Sequence, residues 1–220
     1  MDGRDVHTNE RRMPRLMTDS AAEKSIPVHT RGTTRQRLID AMIKVVGSKG
    51  LQSASVRTIA REAGCNEAVL YQHFSGKAAM QEAIFWEIQN EMADEKQEVA
   101  QRVTNVGELI REWVAATYRF YDRKPFAFAY VDLSYPPISK EDPSVPGPNT
   151  RLFTDAMGRL PAPDGHQVAF DESTFTVFTA GILAVPRAIH AGLLGGKAMD
   201  YYDRSIEPLT RIFLTDRKST

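Results

Sequence analysis

The sequence predicts an all-α protein: a three-helix N-terminal domain followed by a larger C-terminal helical domain. Three observations carry the prediction. Apolar residues recur at helical spacing through most of the 220 residues. Gly and Pro fall between those periodic stretches, where helices stop and start. Residues 55–77, SVRTIAREAGCNEAVLYQHFSGK, read as two short helices joined by a tight turn.

Residues 1–31 are polar and weakly periodic, with Arg11, Arg12 and Arg15, and are expected to form a disordered tail. The alternative is a basic arm that follows DNA phosphates or enters the minor groove. Thr33 or Thr34 can cap a first helix running to Lys49, with Leu38, Ile39, Met42, Ile43 and Val46 on its inner side. Gly50 stops it, and Leu51 supplies the apolar contact that accompanies such a stop.

Ser55 can cap the next helix, in which Ile59, Ala60 and Ala63 form a narrow apolar face. Small Ala60 and Ala63 let another helix come close. Gly64 suits a left-handed turn at the helix end, and Asn66 can cap the helix after it. Leu70 and Phe74 lie four apart and face inward, with Val69 beside them, which leaves Glu67, Ala68, Tyr71, Gln72 and His73 outward. This second helix has barely two turns and cannot be stable alone. Two short helices crossing at a turn with a polar outer edge make a probe for the DNA major groove. An αα-hairpin in any helical protein is the plainer alternative.

After Ser75-Gly76 a long helix is expected from Lys77 to about Val103, with Met80, Ala83, Ile84, Ile88 and Met92 on its apolar face. Glu91, Asp94, Glu95, Lys96 and Glu98 read as its solvated face. A further amphipathic helix spans about 106 to 122. Pro125 opens a short aromatic segment, 126–133, whose alternation also fits a strand; helix is preferred because an isolated strand would have nothing to pair with. Prolines 136, 137, 143, 146 and 148 predict a loop over 135–149, long enough for a lid. Helix resumes over 150–160, and 161–166 turns again. The last two helices are expected over 170–194, kinked at Pro186, and over 201–214. Both read as apolar on more than one face, so one face of each needs a partner.

Residues 35 to about 85 resemble the N-terminal domain of the TetR family of bacterial transcriptional repressors. The resemblance rests on Lys49-Gly50-Leu51, on Val56-Arg57-x-Ile59-Ala60-x-x-Ala63-Gly64, on Leu70-Tyr71-x-His73-Phe74 and on Lys77, in that order. Cys65, Asn66, Glu67 and Val69 depart from the family's usual residues, which bears on the DNA sequence read rather than on the binding mode. The resemblance implies a ligand-responsive transcriptional regulator: a repressor that binds a palindromic operator as a homodimer through its last two helices, and that a small apolar or aromatic effector releases. It divides the chain into a tail (1–31), a helix-turn-helix domain (32–77) and an effector-binding and dimerisation domain (78–220). A helical adaptor that binds only protein is the alternative.

The DNA contacts expected are Arg57, Asn66, Glu67, Ala68, Tyr71, Gln72, His73 and Lys77. Tyr71, His73 and Lys77 suit phosphates, and Arg57 a phosphate or a groove edge. Gln72 can pair with adenine, Ala68 can touch a thymine methyl and Glu67 can accept from cytosine. For Tyr71 a half-buried packing role is the alternative, and for His73 a solvated one. Trp113, Tyr118, Tyr121, Phe126, Phe128, Tyr130, Phe153 and Phe175 are candidates to line an effector cavity, or else plain core.

Composition is consistent with this reading. Net charge is zero, yet residues 1–77 hold 13 Lys+Arg against 8 Asp+Glu, and residues 78–220 hold 15 against 20. A basic head on an acidic body is the pattern expected of a DNA reader. The lone Cys65 cannot form an internal disulfide, and no apolar run approaches a transmembrane span, so a cytoplasmic protein is expected. Cys65 reads as a small packing residue, with a redox switch beside the reading helix as the alternative. No Gly-rich phosphate loop, His-Glu-x-x-His or Gly-x-Ser-x-Gly occurs. The expectation is therefore no catalytic residue, no cofactor and no metal site.

Overall fold

Three short polar side chains start the three helices of the N-terminal region. In the computed structural model, which describes residues 32–134 and 147–216, Thr33 accepts from the Gln36 N–H at 3.2 Å and opens α1, Thr34–Lys49. Ser55 accepts from the Thr58 N–H at 3.0 Å and opens α2, Val56–Glu62. Asn66 accepts from the Val69 N–H at 3.1 Å and opens α3, Glu67–His73. Each bond satisfies a backbone donor that a helix start leaves free. Gly50 ends α1 with φ 79°, in the left-handed region.

The body follows as α4 (Lys77–Arg102), α5 (Val106–Arg123), α6 (Pro125–Leu133), α7 (Pro148–Arg159), α8 (Glu172–His190) and α9 (Tyr202–Arg211). The aromatic segment after Pro125 is helical, as expected. Among the described residues no helix is long and apolar enough to cross a membrane. The hydrophobic core runs continuously from Leu38 of α1 to Leu214. α1 packs closely on α6, α4 on α7 and α5, and α9 on α5.

Several expectations change. The proline-rich loop of 135–149 lies largely outside the described residues, but Pro148 opens α7 instead of blocking it. Proline is tolerated at a first helical position, where its missing N–H would have no helical partner. α8 is shorter than 170–194, starting after an Asp171–Thr174 capping box and running through Pro186. The helix expected over 201–214 is present but shorter, as α9: a 3₁₀ turn (Ala198–Tyr201) precedes it, and a strand β2 (Leu214–Asp216) that pairs antiparallel with β1 (His166–Val168) follows it. Each strand has three residues, too few for a period-two pattern to register.

α9 is also one-sided. Leu209 is buried and Ile206 half-buried, while Asp203, Arg204, Glu207 and Arg211 face solvent. α8 does keep a second apolar face, with Val177, Ala180 and Ala184 exposed.

Candidate nucleic-acid interface

The turn between α2 and α3 sets the angle of the second helix. Gly64 adopts φ 66°, and the Cys65 N–H reaches back to the Ala60 carbonyl at 3.0 Å. This is the hydrogen-bond pattern of a helix ended by a left-handed glycine. Leu70 is fully buried and Phe74 nearly so; together they anchor α3. The Arg35 guanidinium covers the Phe74 ring at 5.3 Å. Cys65 is half-buried against the core, which fits a packing residue.

With Leu70 held inward, the other side of α3 points out. Tyr71 is 58% exposed, more open than the half-buried packing role would leave it. Glu67, Ala68, Gln72 and His73 are exposed beside it, as are Arg57 in the first turn of α2 and Asn66. Lys77, at the start of α4, is half-buried. All eight residues expected at DNA thus fall on the stretch from the start of α2 to the start of α4. Two of them also hold α3 together. Asn66 spends its carbonyl oxygen on the cap. Glu67 lies in the first turn, where the helix dipole favours an acid.

The eight candidate effector residues separate into groups. Trp113, Phe153 and Phe175 meet, with Phe153 5.0 Å from Trp113 and 5.6 Å from Phe175. Tyr121 and Phe128 form an edge-to-face pair at 5.3 Å. Tyr118 and Tyr130 are fully buried, and the Tyr130 hydroxyl donates to the Gln81 carbonyl at 3.0 Å. Phe126 stands apart, 44% exposed, with its ring 6.3 Å from that of His190. Seven of the eight are therefore packed in or against the core, and Phe126 lies on a cleft beside α1. Phe170, Phe178 and Phe213 also join the Phe153 cluster. No local pattern marks them, because each contact joins Phe153 to a residue in another element, Phe213 being sixty positions away.

Lys96 departs from the solvated face expected for its charged run. It is only 5% exposed, with Nζ 4.7 Å from the Trp113 ring centre. Desolvation lowers its pKa to about 7, against an opposing pull from Glu95. The unfolded chain therefore binds more protons than the folded one between about 7 and 10.5, and stability should rise with pH across that window. Lys96→Met should abolish the rise and stabilise the protein at neutral pH by on the order of 2 kcal/mol, the ring contact offsetting part of the desolvation cost. Urea titrations at pH 6.5 and 9 measure both effects.

Residues 38–84 match the family model described as bacterial regulatory proteins, tetR family. The HTH-type transcriptional regulator SrpR of Pseudomonas putida is 41% identical over 51 residues, which cover 23% of this chain. The aligned part spans 24% of that relative's length. A TetR family transcription regulator from Marinobacter aquaeolei VT8 superposes with a TM-score of 0.63 at 19% identity, over 84% of this chain and 96% of that one. The regulator FadR from Bacillus subtilis, solved with stearoyl-CoA, superposes with a TM-score of 0.56 at 11% identity, over 80% of this chain and 97% of that one.

Proposed function

Because its N-terminal segment belongs to the TetR family of bacterial regulatory proteins, we propose that this chain is a DNA-binding transcriptional regulator. In this reading it is a repressor that binds a palindromic operator as a homodimer, and a small apolar or aromatic effector releases it. The observation that carries the reading is the outward row Tyr71, Gln72 and His73 on a helix fixed from behind by Leu70. A two-turn helix reads only a few base pairs, so two heads related by a dyad are needed for specificity. The exposed apolar stripe of α8, Val177, Ala180 and Ala184, supports pairing of two copies. The charged outer side of α9 adds polar partners at the edge of that contact.

Tyr71, His73 and Lys77 hold phosphates and set the register, while Gln72, Ala68 and Glu67 face base edges. The effector reading draws support from the acyl-CoA held by the Bacillus subtilis neighbour, whose fold this chain shares. A ligand acts here only by binding the DNA-competent and DNA-incompetent states unequally.

Tyr71→Ala should weaken operator binding by roughly tenfold or more, the worth of a hydrogen bond to a charged group (about 1.5–3 kcal/mol). Its far-UV circular dichroism should match the parent's, because the side chain is exposed. A mobility-shift titration in which both proteins bind alike would remove Tyr71 from the interface.

A further inference from the structure

A cleft of about 380 Å3 opens between α1, α4 and the corner where α5 meets α6. That volume lies toward the lower end of ligand-sized pockets, roughly 300–1,000 Å3. Its apolar lining comes from Ile39 and Ile43 of α1, Ile84 and Ile88 of α4, and Pro125 and Phe126 of α6. Phe126 is one of the few large aromatics that the fold leaves partly exposed.

The charged groups on the cleft are unequally satisfied. Its three cations each have a carboxylate: Lys44 pairs with Glu62, Arg123 with Glu95 and Lys124 with Glu91. Glu91 is thereby neutralised. Two acids are not. Asp40 accepts from the Gln36 side-chain amide at 3.0 Å and has no cation partner among the described residues. Glu87 has Arg35 at 3.8 Å, a loose and exposed pair. One of these carboxylates stands on the α1 wall and the other on the α4 wall.

An apolar floor between two under-neutralised carboxylates selects for one ligand chemistry. We propose that this cleft binds a small organic cation, a protonated amine on an aromatic or branched apolar body. The body lies on Ile43, Pro125 and Phe126, the larger apolar side chains of the lining that keep accessible surface. Ile39, Ile84 and Ile88 are buried behind them, and the ammonium sits between Asp40 and Glu87. An anion finds no free cation there, and a neutral analogue gains only the apolar part. The site is separate from the aromatic cluster around Phe153. α1 is both a wall of the cleft and the helix on which α2 packs, so an occupant can bias the placing of the head. That consequence rests on the DNA-binding reading; binding of the amine does not.

The test uses the full chain without DNA and three probes that share one ring system: 2-naphthylmethylamine, 2-naphthalenemethanol and 2-naphthoate. Calorimetric titration should show the amine binding roughly fivefold or more tighter than the alcohol, as two partly exposed ion pairs allow, and the acid weakest. The double substitution Asp40→Asn with Glu87→Gln should bring the amine to the alcohol's affinity and leave the alcohol unchanged. Ile43→Trp, which fills the cleft, should weaken amine and alcohol alike. The proposal is overturned if the amine fails to bind at millimolar concentration, binds no tighter than the alcohol, or keeps its advantage in the double variant.

Discussion

Gly47→Ala should destabilise the protein by about 1–3 kcal/mol, the usual cost of forcing a methyl into a filled space. Propensity alone argues the other way, since alanine in a helix interior gains about 1 kcal/mol over glycine. Geometry decides between them. A Cβ at Gly47 would lie 2.7 Å from the Phe126 carbonyl oxygen and 3.0 Å from its Cα. These are backbone atoms of α6 and cannot rotate aside. The third side is closed as well, because His190 Nε2 lies 2.6 Å from the Gly47 carbonyl. A carbonyl only accepts, so Nε2 carries the proton. α1, α6 and α8 thus meet at a glycine that leaves no room for a side chain, and the alanine variant must push α1 off the body. Gly158→Ala in α7 is the control. Nothing lies within 4 Å of its Cβ position, so it should be neutral or stabilising by up to about 1 kcal/mol. Urea denaturation of the two variants side by side checks the argument, and equal stabilities would refute the close contact.

Phe153→Ala should cost more, about 3–5 kcal/mol, as expected for a fully buried phenylalanine. Its ring is 5.0 Å from Trp113, 5.1 Å from Phe178, 5.6 Å from Phe175 and 5.8 Å from Phe213. Those neighbours belong to α5, to α8 and to the segment after α9, so one side chain of α7 joins three parts of the body. The cavity left behind cannot collapse without moving several helices. Phe153→Leu keeps most of the volume and should lose less than half as much. A loss under about 1 kcal/mol for the alanine variant would mean that the cluster adapts freely.

How legible each part was follows from how local its chemistry is. The caps Thr33, Ser55 and Asn66 and the glycines Gly50 and Gly64 act within five residues of themselves, and the structure has each where the sequence suggested. The outward side of α3 was legible for the same reason, since Leu70 and Phe74 fix by spacing which residues are left. Lys96 was not. It sits in a run of charges, and only the Trp113 ring, seventeen positions away, makes its site an interior one. Gly47 resembles a propensity defect until Phe126 is known to lie against it. Asp122 is another case: its carboxylate accepts from the Ala198 and Met199 N–H groups, a cap supplied from 76 and 77 residues away. The aromatic residues were recognisable as a set, but their division into separate groups depends on how α5, α6 and α7 cross.

The central claim is that α3 reads DNA as one of a symmetric pair of heads. Selection of bound duplexes from a random DNA pool tests it most directly. The account predicts enrichment of a two-fold symmetric sequence, with half-sites about one helical turn or a multiple apart, and loss of that enrichment with Tyr71→Ala. A pool that stays unenriched, or a consensus that the Tyr71 variant selects equally well, would contradict it.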